Sequence, residues 1–199
     1  MKKIAIFCGA SSGFDPIYTT KAKELGNLLV KNNIGMVFGG GKVGMMGAIA
    51  DEMLQKGGEI IGVIPHFLRH EEVEHPEIKQ MMVSNTMSER KVSISKMVDA
   101  YIALPGGFGT LDEVLEVLAL GQLNIEQKPI GFLNTNGFFD FLLKQFDHMV
   151  KEGFLKKEYR EMLIAEENPE ILLQKMNQYE APDIEKIVDT VASINNKKN

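Results

Sequence analysis

The sequence predicts an α/β protein: a doubly wound, mostly parallel sheet with helices on both faces. Three observations predict it. Short apolar runs recur without polar alternation, as expected of strands covered on both faces. Amphipathic stretches of helical period separate these runs, and strand–helix alternation implies parallel strands joined by right-handed crossovers. Glycine clusters stand at three junctions where a run ends and a helical pattern begins.

The elements follow in order. Ile4–Cys8 reads as a first buried strand. Its apolar run stops at Gly9, short of the roughly 7–15 residues of a secretory h-region. Tyr18–Lys31 places Ala22, Leu25, Leu28 and Leu29 at helical spacing. Strands are then expected at Gly35–Phe38, Glu59–Ile64, Met81–Val83, Tyr101–Leu104 and Ile130–Leu133. Helices are expected at Gly44–Lys56, Glu89–Val98, Thr110–Leu120, Phe138–Val150 and Pro169–Gln178. Pro65–Ile78 is the least regular stretch, and a polar loop that long in a compact domain is usually functional or mobile. One catalytic domain is expected over residues 1–180, followed by a C-terminal helix and polar tail over 181–199, where Ile184, Ile187, Val188, Val191 and Ile194 share a helical face.

Composition narrows the function. With 199 residues, the chain suits one domain that buries roughly 70% of its unfolded surface. The single cysteine excludes a disulfide framework or a cysteine-based zinc site. A net charge of −5 argues against a nucleic-acid partner. No stretch approaches the ~20 apolar residues that span a bilayer, and the expected compartment is the cytoplasm. Among the histidines, His70 and His75 frame a spacing one residue too long for H-E-x-x-H, so His66, His70, His75 and His148 read as surface or loop residues, with no metal expected.

The three glycine turns are Cys8–Gly13, Gly39–Gly47 and Pro105–Thr110. Glycine lets backbone approach a ligand closely, and a helix N-terminus presents free amides and a positive dipole end. Together they predict a phosphate or nucleotide site at the carboxyl edge of the sheet. The second turn satisfies G-x-G-x-x-G through Gly39, Gly41 and Gly44, which suggests a dinucleotide. However, the next strand ends in Pro65-His66 rather than an acid for the ribose, and Glu59 lies at its other end. Walker A is also absent, because Val43 follows Gly41-Lys42.

The third turn is followed by Thr110-Leu111-Asp112-Glu113. Thr110 is a plausible N-cap with Glu113 as its capping-box partner. The alternative is that Glu113 faces the ligand bound on the same amides. Glu116, one turn further on, shares that face or is a solvated surface acid. Arg90-Lys91 sits near a helix start, where the dipole prefers acids, as expected of a site that wants cations.

Pro105-Gly106-Gly107-Phe108-Gly109-Thr110-Leu111-Asp112-Glu113 resembles the P-G-G-x-G-T-x-x-E motif of the LOG ("Lonely Guy") family, the cytokinin riboside 5′-monophosphate phosphoribohydrolases. Met87-Ser88-Glu89-Arg90-Lys91 resembles that family's M-H-x-R-K motif, and the similarity runs from about Lys3 to Met176. The resemblance implies a Rossmann-like fold, a homodimer or higher oligomer of dimers, and no cofactor. It implies hydrolysis of the N-glycosidic bond of a nucleoside 5′-monophosphate, AMP or an N6-modified AMP, to free base and ribose 5-phosphate. The catalytic pair maps onto Arg90 and Glu113, and the phosphate loop onto Gly106, Gly107, Gly109 and Thr110. Ser12, Met87, Lys91 and Glu72 are further substrate-contact candidates, joined by Gly40 in the second turn and by Glu116. Ser88 and Leu120-Gly121-Gln122 depart from the family pattern, which bears on the preferred base more than on the reaction. The family also carries a lysine decarboxylase label, but no lysine context for pyridoxal phosphate is present. A molybdenum-cofactor carrier and an NAD-linked oxidoreductase are the rival readings: a carrier needs no acid at the sugar, and the missing ribose acid disfavours NAD.

Overall fold

The computed structural model describes residues 1–69 and 74–182. Glu72, His70 and the helix expected over Asp183–Ile194 lie outside the described residues. Strands β1 (Lys3–Phe7), β2 (Gly35–Phe38), β3 (Ile60–Pro65), β4 (Gln80–Ser84), β5 (Ala100–Ala103), β6 (Ile130–Leu133) and β7 (Leu163–Glu166) form one seven-stranded sheet in the order β4-β3-β2-β1-β5-β6-β7. Every neighbouring pair is parallel. The helices are α1 (Ile17–Lys31), α2 (Gly44–Gln55), α3 (His66–Leu68), α4 (Met87–Met97), α5 (Phe108–Gln122), α6 (Asp140–Lys151), α7 (Lys157–Glu161) and α8 (Pro169–Asn177).

Side chains alternate across the strands and build two cores. Ile4, Ile6, Met36 and Phe38 face Leu25 and Leu29 of α1, Ile49 and Met53 of α2 and Leu172 of α8. Ala5, Phe7, Val37 and Val63 face the other way, onto Ile94 of α4, Val114 and Val117 of α5 and Phe146 of α6. Burying each such Leu, Ile or Phe stabilises the fold by about 1.5–3 kcal/mol, so both faces of the sheet are covered at substantial gain. Gly26 lets α1 sit close on α2: a Cβ there would come within 3.1 Å of Ile49 and 3.2 Å of Met53.

Two elements were not foreseen. β7 is a four-residue edge strand of mostly intermediate burial, and α7 is five residues long, so neither is long enough to show a clear period. The irregular stretch after β3 opens with the short helix α3. Among the described residues no helix is long and apolar enough to cross a membrane.

The strand order places a topological switch between β1 and β5: chain connections run one way from β1 through β2 and the other way from β5 through β6. Ligands bind such sheets at the carboxyl ends of the two strands that flank the switch. Those ends carry the first and third glycine turns.

Candidate active site

The three turns converge through backbone hydrogen bonds. Gly9 N–H donates to the Pro105 carbonyl at 3.1 Å, and Met45 N–H donates to the Gly9 carbonyl at 3.1 Å. Contact this close requires glycine. At Gly106, a Cβ would strike the Thr110 side chain and lie 2.7 Å from Gly9 N. Gly44, at φ +64°, abuts the Ala10 carbonyl.

The start of α5 differs from the expectation. Its N-cap is Gly107, in extended conformation and without a side-chain cap. Thr110 is therefore inside the first turn, 3% exposed and packed beside Gly106, and is not the N-cap. The capping-box role for Glu113 falls with it, because Glu113 is beyond the third helical position where a capping acid reaches back. The first amides of α5 are left without side-chain caps. Gly107 and Gly109 present bare backbone there: no protein atom lies within 4 Å of the position a Cβ would take at either. This is the geometry of an anion cradle at a helix N-terminus.

Glu113 points from α5 toward α4. Its Oε1 lies 2.9 Å from Arg90 Nη2, with the two side chains 8% and 11% exposed. The approach is out of line for a hydrogen bond, so this buried oxygen has an opposite charge beside it but no aligned donor. Such an atom suits a donor brought by a ligand or water. Arg90 is held from two other strands. Its Nε donates to the Val63 carbonyl of β3 at 3.0 Å, and Gly39, at the end of β2, leaves room for the guanidinium where a Cβ would strike it. Helix α4 starts cleanly at this point: Thr86 caps it by accepting from Glu89 N–H at 3.1 Å, and Glu89 in turn accepts from Asn85 N–H at 2.8 Å.

Burial pushes the Glu113 carboxyl above the usual range, and the Arg90 charge pulls it part of the way back. Cys8, at the end of β1, is buried in the same wall. Burial, and then the Glu113 charge, push its thiol well up, so it is a neutral, unreactive group.

A cavity of about 300 Å³ joins these residues: Cys8, Gly9, Gly39, Met46, Met87, Arg90, Gly107, Gly109, Thr110 and Glu113 line it. A neighbouring cavity of about 340 Å³ shares Gly9, Ala10 and Gly107 and is walled by Ser11, Ser12, Tyr18, Met45 and Phe138. The structure thus gathers Arg90, Glu113, Met87, Gly107, Gly109 and Thr110 around one space, with Ser12 and Gly106 in the adjoining one.

Other expected contacts sit elsewhere. Gly40, at φ +77°, turns the chain and accepts from His75 N–H at 2.8 Å; its neighbour Gly39 reaches the cavity. Lys91 pairs with Asp112 and Glu116, and all three lie toward the far side of α5. His75 is buried against Asp51 at 3.0 Å and braces the second turn, while His148 is exposed beside Glu152. Glu59 pairs with Lys3 at the opposite edge of the sheet, away from any ribose. Cys8, Gly39 and Met46 fall within the predicted glycine turns but were not singled out as cavity residues; their places at strand and turn ends beside the switch point to them.

Comparisons with known proteins agree with this geometry. Residues 46–176 match the family model described as "Possible lysine decarboxylase". The chain is 40% identical over 187 residues to the probable cytokinin riboside 5′-monophosphate phosphoribohydrolase LOGL2 of Oryza sativa subsp. japonica, covering 94% of this chain and 76% of that one. It is 40% identical over 186 residues to the cytokinin riboside 5′-monophosphate phosphoribohydrolase LOG7 of Arabidopsis thaliana, covering 94% and 85%. Among solved structures, the molybdenum cofactor binding protein of Rippkaea orientalis aligns with a TM-score of 0.68 at 22% identity over 89% of this chain and 96% of that chain. The Moco carrier protein of Chlamydomonas reinhardtii aligns at 0.67 and 18% over the same shares. At those identities the likeness shows the fold. The decarboxylase wording does not fit the described residues: pyridoxal phosphate needs a lysine amine at its site, and among the described residues neither cavity at the switch has a lysine in its wall.

Proposed function

The chain belongs to the LOG family, and from that premise we propose that it hydrolyses the N-glycosidic bond of a nucleoside 5′-monophosphate, AMP or an N6-modified AMP, to free base and ribose 5-phosphate. The observation that carries the reading is the buried Glu113 oxygen with no aligned donor, 2.9 Å from Arg90 and in one cavity with Thr110 and the bare backbone of Gly107 and Gly109.

In this reading the cradle binds the 5′-phosphate. Binding energy from that non-reacting group then orients the reacting bond. Loss of the base builds positive charge on the ribose, as in glycoside hydrolysis. A carboxylate about 5 Å away, at an effective dielectric near 20, stabilises that charge by roughly 3 kcal/mol, about two orders of magnitude in rate. Glu113 fills this role and then takes a proton from the attacking water. Burial raises its proton affinity above that of an ordinary carboxylate, which makes it a stronger base once ionised. Arg90 holds Glu113 ionised and faces the phosphate and the departing base. Ser12, Met87 and Gly106 complete the walls; Glu72, Gly40, Lys91 and Glu116 are substrate-contact candidates on the family resemblance alone.

The same proposal includes a homodimer or an oligomer of dimers, supported by the exposed Val92, Leu123 and Ile125 on neighbouring surfaces of α4 and the turn after α5. It places the reaction in the cytoplasm, where the lone buried thiol of Cys8 stays reduced. Incubation with AMP and chromatography of the products tests the reaction. Free adenine with ribose 5-phosphate is expected, with little adenine from adenosine. Tight AMP binding without turnover would favour a carrier and refute the reading.

A further inference from the structure

Glu113 is a partition. On one side is the cavity with the amide cradle; on the other is a second cavity of about 210 Å³ between α4 and α5, whose wall includes Lys91, Ser95, Glu113, Glu116 and Glu126. Consecutive residues of α4 serve the two sides: Arg90 reaches the front cavity, and Lys91 reaches the rear one. The Lys91 ammonium lies 3.2 Å from Asp112 Oδ2 and pairs with Glu116. Those two acids flank Glu113, one beside it in sequence and one a turn further along α5. Lys91 is only 19% exposed, so its charge is less screened than that of an ordinary surface lysine.

We propose that Lys91 is a positioning residue: by offsetting the two carboxylates that flank Glu113, it sets the charge state of the acid that faces the sugar. The proposal rests on the hydrolase reading of the site. The groups facing Glu113 are few. Cys8 comes from the end of β1 and is neutral, Arg90 and Lys91 come from α4, and Asp112 and Glu116 come from α5. Glu126 and Lys96 also line the rear cavity; Glu126 is occupied by Lys128 and the Tyr101 hydroxyl, and Lys96 lies further along α4 than Lys91. The cations acting on Glu113 are Arg90 and Lys91, against the acids Asp112 and Glu116. Removing Lys91 leaves Arg90 alone among them, and repulsion from Asp112 and Glu116 adds to the burial that already favours the protonated acid. Glu113 would then enter the reaction protonated at pH values where it must be ionised. A plain helix-to-helix tether would also use Lys91, Asp112 and Glu116, but it predicts that breaking the bridge from either end has the same effect. The charge account predicts opposite effects.

The test follows the ¹³C carboxyl resonance of Glu113 through a pH titration in the full chain, assigned by its loss in Glu113→Gln. Lys91→Met should move the Glu113 midpoint to higher pH, and Asp112→Asn/Glu116→Gln should move it to lower pH. Lys91→Arg should restore the wild-type midpoint. In parallel, kcat on AMP at acid pH relative to alkaline pH should fall by roughly threefold or more in Lys91→Met and rise in the double variant. Midpoints that stay put, or that move the same way in both variants, would overturn the proposal. If Lys91→Met does not fold, the double variant decides alone: its midpoint must fall. Opposite midpoint shifts in an enzyme that releases no base from any 5′-monophosphate would sink the hydrolase reading and leave the role of Lys91 standing.

Discussion

Gly39→Ala tests how tightly the Arg90–Glu113 geometry is held. Gly39 is not among the glycines with positive φ, so alanine is allowed by the backbone. Its new methyl, however, would collide with Arg90 Nη2 and lie 3.4 Å from Arg90 Cζ and 3.2 Å from Met46 Sδ. The guanidinium has to retreat by about 1 Å to reach ordinary van der Waals contact. At an effective dielectric near 20, two unit charges 2.9 Å apart interact by about 5.7 kcal/mol, and at about 3.9 Å by about 4.3 kcal/mol. The difference, roughly 1.5 kcal/mol, is about tenfold in the fraction of Glu113 that is ionised at pH values below its midpoint, and so about tenfold in kcat there. Loss of the 3.0 Å bond from Arg90 Nε to Val63 costs about 1 kcal/mol of stability besides. The amide cradle itself is untouched, but Arg90 also faces the phosphate in the proposed reaction, so KM for AMP should rise as kcat falls. The assay is steady-state adenine release from AMP, with circular dichroism to verify the fold. A folded Gly39→Ala enzyme within about threefold of wild-type kcat at those pH values would refute the argument that this backbone position holds Arg90 in place.

Three further outcomes are expected. Glu113→Gln should lose turnover by about two orders of magnitude. Because burial raises the Glu113 proton affinity above its unfolded value, the native state binds more protons than the unfolded state as pH rises through the carboxylate range, so stability falls there; Glu113→Gln should melt a few degrees higher than wild type at neutral pH, the gap closing below the unfolded carboxylate range. Gly109→Ala should keep or slightly raise the melting temperature, since alanine gains roughly 0.5–1 kcal/mol in a helix and meets no protein atom within 4 Å, while KM for AMP rises because the methyl intrudes on the cradle. Tyr101→Phe removes a hydroxyl that donates to Glu126 at 2.6 Å, and thermal unfolding should report a loss of about 1.5–3 kcal/mol, with kcat on AMP largely kept.

Much of the fold is legible because its strands are buried on both faces. Runs such as Ile60–Pro65 and Ile130–Leu133 are apolar, short and flanked by turn residues, which favours strands, and α1 and α2 carry apolar stripes, whereas α4 buries Ile94 alone. The edges are less legible: β7 pairs with β6 alone, and its LIAE sequence mixes polar and apolar residues. Helix starts are set by backbone conformation more than by residue type, which is why Thr110 looks like a cap while Gly107 performs that role. In the site, the glycine turns are readable from local sequence, but the meeting of Arg90 with Glu113 is not. That contact depends on β1 lying between β2 and β5, and only the resemblance to a known motif pairs the two residues in advance. Cys8 and Gly39 open two of the readable turns, but that they wall the cavity beside Arg90 and Glu113 depends on which strands are neighbours. Lys91 and Glu116 are visible as charges, but helix packing turns them toward each other.

The Val63 carbonyl that fixes Arg90 belongs to the sheet itself, whereas Ser12, Tyr18 and Phe138 stand on the loops and helix ends around the adjoining chamber. The proposed catalytic pair and the chamber walls are thus anchored to different pieces of chain. A descendant of this protein could exchange the walls for others, adapting to a bulkier or more polar guest, without disturbing the Arg90–Glu113 pair. Changes to the strands themselves would have no such freedom: a slip of β3 by one residue would carry the Val63 carbonyl away from Arg90 and silence the chemistry along with the fold.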